Sequence, residues 1–345
     1  VHPDLKVQKF LGVAAPTRYS YLVNNWCPET EYRVHNSNIN NLERAVLERE
    51  FFVKYANGFA APHVPAPDAY RTKHHLLFRQ KIAKCVASTT CAQQLPISND
   101  KFVECYTGRK RTLYKNAVVS LSQRGVCQSD ARVDSFVKAE KINFEGGKDP
   151  APRLIKPRDP RYNVEVGRYL KPIEHHVYKA IATIFKSQVV MKGKNAAERG
   201  HLLHQKWLKF RRPVAVEVDA ARFDQHVHEL ALKYEHSCYI ACVPSSERGT
   251  LGKLLGWQRR YRVYGRTKDG KLKYDMKGHR CSGDMNTALG NCLLSCANAH
   301  EWLELCNVKA EVADDGDDLV FIMEEEDLSR FTRGFTEYYR TKGLR

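Results

Sequence analysis

One twelve-residue run constrains this chain more than any other: Val312 to Met323, "VADDGDDLVFIM". Four aspartates crowd one glycine inside apolar flanks that read as two short strands. Asp315-Gly316 is a strong hairpin-turn signal, so the run predicts a tight β-hairpin with carboxylates at its tip. An acidic turn can simply be solvated, because Asp and Gly are ordinary turn residues. It can also be a divalent-metal site, because adjacent carboxylates repel unless a cation offsets them.

A second carboxylate separates these readings. Asp219 ends the apolar run "VAVEV", read as a strand over 214–218, and Asp224 follows five residues later. A strand-end Asp can cap the following helix. If its strand neighbours the hairpin, Asp219, Asp317 and Asp318 converge and can hold two Mg²⁺ ions. Two such ions about 3.5–4 Å apart suit in-line phosphoryl transfer. Mg²⁺ needs only a few carboxylates when substrate phosphates complete its shell.

Two further stretches fit that chemistry. In "CSGDMNTALGNCLL", Ser282-Gly283 forms a loop before a helix read over 284–305, and Thr287 and Asn291 share one helix face. Asp224, Ser282 and Asn291 together suit a ribose 2′-hydroxyl, which both donates and accepts. The bland alternative is close helix packing through Ala288 and Gly290. Lys138, Lys141, Lys148, Arg153, Lys156, Arg158 and Arg161 lie in a predicted hairpin, with strands 135–142 and 152–156 joined by a Gly-Gly turn. They suit a triphosphate and its pyrophosphate leaving group, or else form a solvated basic face.

Composition agrees. The 345 residues carry 56 Lys+Arg against 39 Asp+Glu, a formal net charge of +17, which points to a polyanionic partner, nucleic acid first. Eleven cysteines without a C-x-x-C pair suggest a reducing compartment, with Cys238/Cys242 and Cys292/Cys296 as core thiols. No Walker loop, nucleophile-elbow Ser or H-E-x-x-H motif is present. Helical spacing is also expected over 36–56, 100–123, 171–191, 246–258 and 326–340, and a hairpin turning at Asp269-Gly270. Residues 61–70, "APHVPAPDAY", read as a Pro-rich connector.

The runs "FVKAEK", "PRYNVEVGRYLKPIEH", "DAARFDQHV", "SGDMNTALGNCLL" and "GDD", in that order, resemble the RNA-dependent RNA polymerases of positive-strand RNA viruses, within them the tombusvirus and carmovirus group. The resemblance spans roughly residues 36–340; Ala221 departs from it, since relatives often have Ser there. It implies an α+β right-hand polymerase fold, with an antiparallel palm sheet backed by helices. Fingers would occupy 1–185 and 237–280, and the palm 186–236 and 281–345. The thumb is expected beyond the C-terminus.

The resemblance implies Mg²⁺ or Mn²⁺ on Asp219, Asp317 and Asp318. It also implies a sugar-selecting group of Asp224, Ser282, Thr287 and Asn291, and triphosphate contacts from Arg153, Lys138 and Lys141. Template and product RNA and nucleoside triphosphates would be the partners, in a membrane-associated replication complex of the host cytoplasm anchored outside this chain. The family's general-acid Lys is expected beyond Arg345, with Lys342 the other candidate. A reverse transcriptase would place a bulky aromatic where Asp224 stands. A non-enzymatic RNA-binding protein would explain the charge but not the three motifs.

Overall fold

The carboxylate hairpin forms, and Asp219 lies in its sheet. The structure, a computed structural model, describes residues 2–12, 19–21, 32–55, 57–144 and 149–345. Strands Ala310–Asp314, Asp318–Glu324 and Pro213–Asp219 make a three-stranded antiparallel sheet with Asp318–Glu324 in the middle. Alternation sets its faces: Leu319, Phe321 and Met323 are buried in the main core, together with Val312. Burying each such side chain stabilises by about 1.5–3 kcal/mol.

Helices cover that face. The longest is Pro160–Phe185, started by Asp159, which accepts from Arg161 N, and by Pro160 in the first turn. It begins well before the expected 171 and runs through Pro172, stopping at Lys186 in the left-handed conformation. Lys73–Ala87 and Thr287–Cys306 pack beside it, and Glu229–Cys242 packs on those two in turn. Cys238, Cys242, Cys292 and Cys296 are buried free thiols, as expected of core residues.

A second cluster underlies a five-stranded sheet ordered Leu5–Lys9, Gly270–Lys277, Arg260–Thr267, Val133–Val137, Leu154–Ile155. Helix Ile39–Val46 packs Ile39, Leu42 and Val46 against one face of it. The hairpin expected at Asp269-Gly270 is the pair Arg260–Thr267/Gly270–Lys277. The expected strands 135–142 and 152–156 shrink to Val133–Val137 and Leu154–Ile155, paired over two positions. Their Gly-Gly turn, and Lys148 with it, lies outside the described residues.

Three expected helices are broken. Residues 36–56 give Ile39–Val46, a wider turn over Leu47–Phe51, and the strand Val53–Tyr55. Residues 100–123 divide at Gly108 (φ 55°) and 326–340 at Gly334 (φ 81°), where left-handed backbone interrupts the helix. Among the described residues no helix is long and apolar enough to cross a membrane.

Candidate active site

The hairpin tip sorts its four aspartates by position. The turn is the three-residue loop Asp315–Asp317, closed by Asp315 N donating to Asp318 O at 3.0 Å, with Gly316 at φ 101°. Ser295 Oγ donates to Gly316 O at 2.6 Å and fixes the loop to helix Thr287–Cys306. Asp314 is fully buried; burial pushes its carboxyl up to about 8, against the pull of Cys292, the Gly316 amide and Lys192. Asp315 is paired with Lys192 at 2.8 Å and Arg199 at 2.6 Å. Asp317 and Asp318 are exposed.

Asp318 pairs in register with Asp219 across the sheet. Side chains directly opposite in such a pair have Cβ atoms about 4.5–5.5 Å apart. Partial burial and the neighbouring Asp317, Asp219 and Asp315 carboxylates push the Asp318 carboxyl up, with Lys192 opposing. Three acidic side chains thus repel one another at one exposed spot, and a divalent cation suits that need. The side chains are not drawn together as a finished cage: among the described residues no group of three or more His, Cys, Asp or Glu is set to hold a metal ion. Substrate phosphates and water would have to complete any ion's shell.

The chain leaves Asp219 through Arg222, whose left-handed backbone (φ 54°) turns it into the short helix Phe223–His226. That turn brings Asp224 beside helix Thr287–Cys306, where Asn291 Nδ2 donates to its Oδ1 at 3.4 Å. Burial pushes the Asp224 carboxyl up; Arg280, Lys156 and the Asn291 hydrogen bond pull it down, and Asp317 adds to the rise.

Asn291 is held at both ends, for its Oδ1 accepts from Arg280 Nε at 3.0 Å. Arg280 and Glu235 are both wholly buried and form an ion pair, with Arg280 Nη1 to Glu235 Oε1 at 3.1 Å. Glu235 also accepts from Asn286 Nδ2 at 2.6 Å and Tyr239 Oη at 3.0 Å. Burial opposes its charge, yet Arg280 beside it holds its carboxyl below the usual range. Gly290 is required here: a Cβ would meet Glu235 Oε1 at 2.3 Å and Arg280 Nη2 at 2.5 Å. The close approach foreseen at Gly290 therefore serves a buried ion pair.

Ser282 lies on the loop before that helix and accepts from Lys156 N at 3.0 Å. Gly283 lets this loop ride on the chain beside it, because a Cβ would lie 2.5 Å from Pro157 Cα. The Thr287 hydroxyl is directed at its own loop, 2.7 Å from Cys281 O and 3.0 Å from Asp284 O, so it shapes the loop. Asp224, Ser282 and Asp317 line one cleft together with Arg49, Arg153 and Lys156.

The basic residues divide by burial. Arg153 and Lys141 are exposed, and Lys138 is half-buried with its amine 2.7 Å from Glu140, which Arg153 also approaches at 3.4 Å. Arg158, expected to contact a triphosphate, is placed elsewhere. It is buried, ion-paired with Asp284, donates to Ala131 O, and lies 4.8 Å over the Tyr261 ring. A guanidinium surrounded by its own chain has no face left for a substrate. Lys156 is buried against Glu50 at 2.7 Å, and Arg161 against Asp130 at 3.3 Å. Lys342 is buried as well, paired with Glu301 at 2.5 Å and bonded to Ala69 O.

Sequence reasoning missed Arg280, Glu235 and Glu50. Glu235 carried a signal: the one carboxylate within the run "ALKYEHSCYIAC", it needs a partner if that run is buried. Arg280 stands one residue before the quoted "CSGD" run and supplies that partner.

Comparison with known proteins places the chain in a family. The family described as viral RNA dependent RNA polymerase matches residues 8–345. Proteins named RNA-directed RNA polymerase are similar to this chain. That of Groundnut rosette virus (strain MC1) is 41% identical over 342 residues, 99% of this chain and 39% of that protein. That of Turnip crinkle virus is 42% identical over 301 residues, 87% of this chain and 37% of that protein. That of Carnation mottle virus is 41% identical over 325 residues, 93% and 41% of the two chains. The chain thus spans about two-fifths of the length of these relatives. Matched over residues 8–345 by the family and about 40% identical to these relatives, this chain belongs to the viral RNA-dependent RNA polymerase family.

Proposed function

We propose that the chain carries the nucleotidyl-transfer centre of an RNA-directed RNA polymerase that copies a viral RNA genome. The observation that carries this reading is the register of Asp318 opposite Asp219, one turn of chain from the Asp224–Asn291 pair. Asp219, Asp317 and Asp318 would hold two Mg²⁺ or Mn²⁺ ions, which when bound activate the attacking oxygen and stabilise the leaving one. The 3′-hydroxyl of the growing RNA attacks the α-phosphate of a nucleoside triphosphate, and pyrophosphate leaves.

This chain's own residues select and orient. Asp224 accepts and Asn291 donates, so the pair can meet the 2′-hydroxyl of an incoming ribonucleotide, with Ser282 at the same cleft. Hydrogen-bonding groups at this position favour RNA over DNA synthesis, against a reverse transcriptase-like alternative. Arg153 in the cleft, with Lys138 and Lys141 on the adjoining strand end, suits the triphosphate. In this reading 1–185 and 237–280 act as fingers and 186–236 and 281–345 as palm of a right-hand arrangement completed by a thumb. The enzyme works on template RNA in a membrane-associated complex of the host cytoplasm.

The test is templated incorporation by the complete polymerase. Labelled nucleotide should enter a primed RNA template only with Mg²⁺ or Mn²⁺, and Asp219→Asn should lower the rate by about 10³-fold or more while RNA binding persists. Incorporation by the Asp219→Asn protein at the parent rate would contradict the reading.

A further inference from the structure

The five-stranded sheet has a second face, pointing away from helix Ile39–Val46. Along Arg260–Thr267 and Gly270–Lys277 burial alternates strictly: Val263, Leu272, Tyr274 and Met276 go inward, and the residues between them go to solvent. The outward set is basic. Arg260, Arg262 and Arg266 come from one strand, and Lys271, Lys273 and Lys277 from its neighbour. Lys6 adds to them from the edge strand, opposite Lys273. Against these stand Asp275, which pairs with Arg262 at 2.7 Å, Asp134, and Glu229, which Lys277 approaches at 3.3 Å. Arg260, Arg266, Lys271, Lys273 and Lys6 make no ion pair among the described residues. Like charges set side by side on neighbouring strands destabilise a sheet, and Asp275, to which Arg262, Lys273 and Lys6 are all attracted, offsets only part of that charge.

The face also carries rings. Tyr264 sits at its centre, and Phe136, 44% exposed, lies on the next strand on the same side. Two adjoining concavities meet at Tyr264: one reaches Trp257 and Arg132, the other Lys6 and Gln8. Neither contains a residue of the carboxylate cleft.

We propose that this outer sheet face is a binding platform for single-stranded RNA, separate from the active-site cleft. Charge complementarity identifies a polyanion. Flat rings set among the cations identify one with unstacked bases, since single-stranded nucleic acid binds by aromatic stacking within a positive groove. A duplex hides its base faces and would use only the cations. The proposal does not depend on the polymerase chemistry, because no carboxylate of the cleft takes part.

The test combines two variants with a mapping experiment on this chain. Fluorescent, unstructured single-stranded RNA is titrated at several salt concentrations into the parent and into the triple variant Arg266→Gln/Lys271→Gln/Lys273→Gln. Losing three phosphate contacts should weaken binding by about tenfold or more and lower the log–log salt slope by about 2. Tyr264→Ala should weaken binding by about 5- to 100-fold with the slope unchanged. Thermal midpoints equal to the parent's show that the variants are folded. RNA containing 4-thiouridine should crosslink within residues 257–277, and should still do so when Asp219 and Asp318 are changed to Asn. An unchanged affinity and slope in the triple variant overturns the proposal. So do crosslinks confined to the cleft, or binding of phosphatidylserine vesicles in place of RNA. Duplex RNA bound as tightly as single strands, with Tyr264→Ala silent, overturns the single-strand assignment. The Asn variants keep a failure here distinct from a failure of the catalytic reading.

Discussion

Asp219 and Asp318 stand directly opposite each other in the antiparallel pairing of Pro213–Asp219 with Asp318–Glu324. Partial burial, then the neighbouring Asp317 and Asp219 carboxylates, raise the affinity of Asp318 for its proton. A divalent cation held between them would relieve this repulsion. Asp318→Asn should therefore raise the metal-free thermal midpoint, by on the order of 1 °C, and abolish the further rise that Mg²⁺ or Mn²⁺ gives the parent. Differential scanning fluorimetry with and without cation reads both. A lower midpoint in the metal-free variant would show that Asp318 is there for structure.

Asp224 and Asn291 should govern sugar choice. In the complete polymerase, Asp224→Ala or Asn291→Ala should reduce discrimination between ribonucleoside and deoxyribonucleoside triphosphates by about 10- to 150-fold, the worth of a hydrogen bond to a charged group. Competing incorporation of the two nucleotides measures the ratio. Equal ratios in parent and both variants would remove the pair from this role.

The Arg280–Glu235 pair is predicted to matter through Asn291. Glu235→Gln leaves a wholly buried guanidinium without its counter-charge and should cost about 3–5 kcal/mol in denaturant unfolding. Gly290→Ala drives a methyl group into the same pair and should cost about 1–3 kcal/mol or more. A Gly290→Ala protein as stable as the parent would mean the helix and the ion pair lie farther apart than described.

Asp314 gives a pH signature. Its carboxyl, near 3.8 when unfolded, is held at about 8 by burial in the fold. A raised folded value means that stability is fully present below about pH 4 and is lost as pH rises toward 8, by up to about 1.4 kcal/mol per pH unit. Asp314→Asn should flatten that part of the stability curve and leave the protein more stable than the parent at pH 8. Identical pH profiles for the two proteins would mean Asp314 is ionised in the fold.

The outline of this site was legible because its parts are local. A strand ending in Asp, a five-residue step to a second Asp, and an Asp-Gly hairpin each fix geometry over a few residues. What pairs with what was not legible. Lys156, Arg158 and Arg161 look like Arg153 and Lys141 in sequence, and only tertiary placement buries them against Glu50, Asp284 and Asp130. Likewise "ADDGDD" does not say which carboxylate is buried, which is ion-paired and which two are exposed. Helix Lys73–Ala87 was missed for another reason. Its buried stripe of His75, Phe78, Ile82 and Val86 has helical spacing, but Leu76 and Leu77, each 40% exposed, obscure the period.

The central claim is that Asp219 and Asp318 share a divalent cation, and Mn²⁺ binding followed by electron paramagnetic resonance tests it most directly. Asp219→Asn and Asp318→Asn should each weaken Mn²⁺ binding by at least about tenfold. The double variant should bind little worse than either single one, the non-additivity expected of two ligands to one ion. Mn²⁺ bound as tightly by the double variant as by the parent would contradict the account.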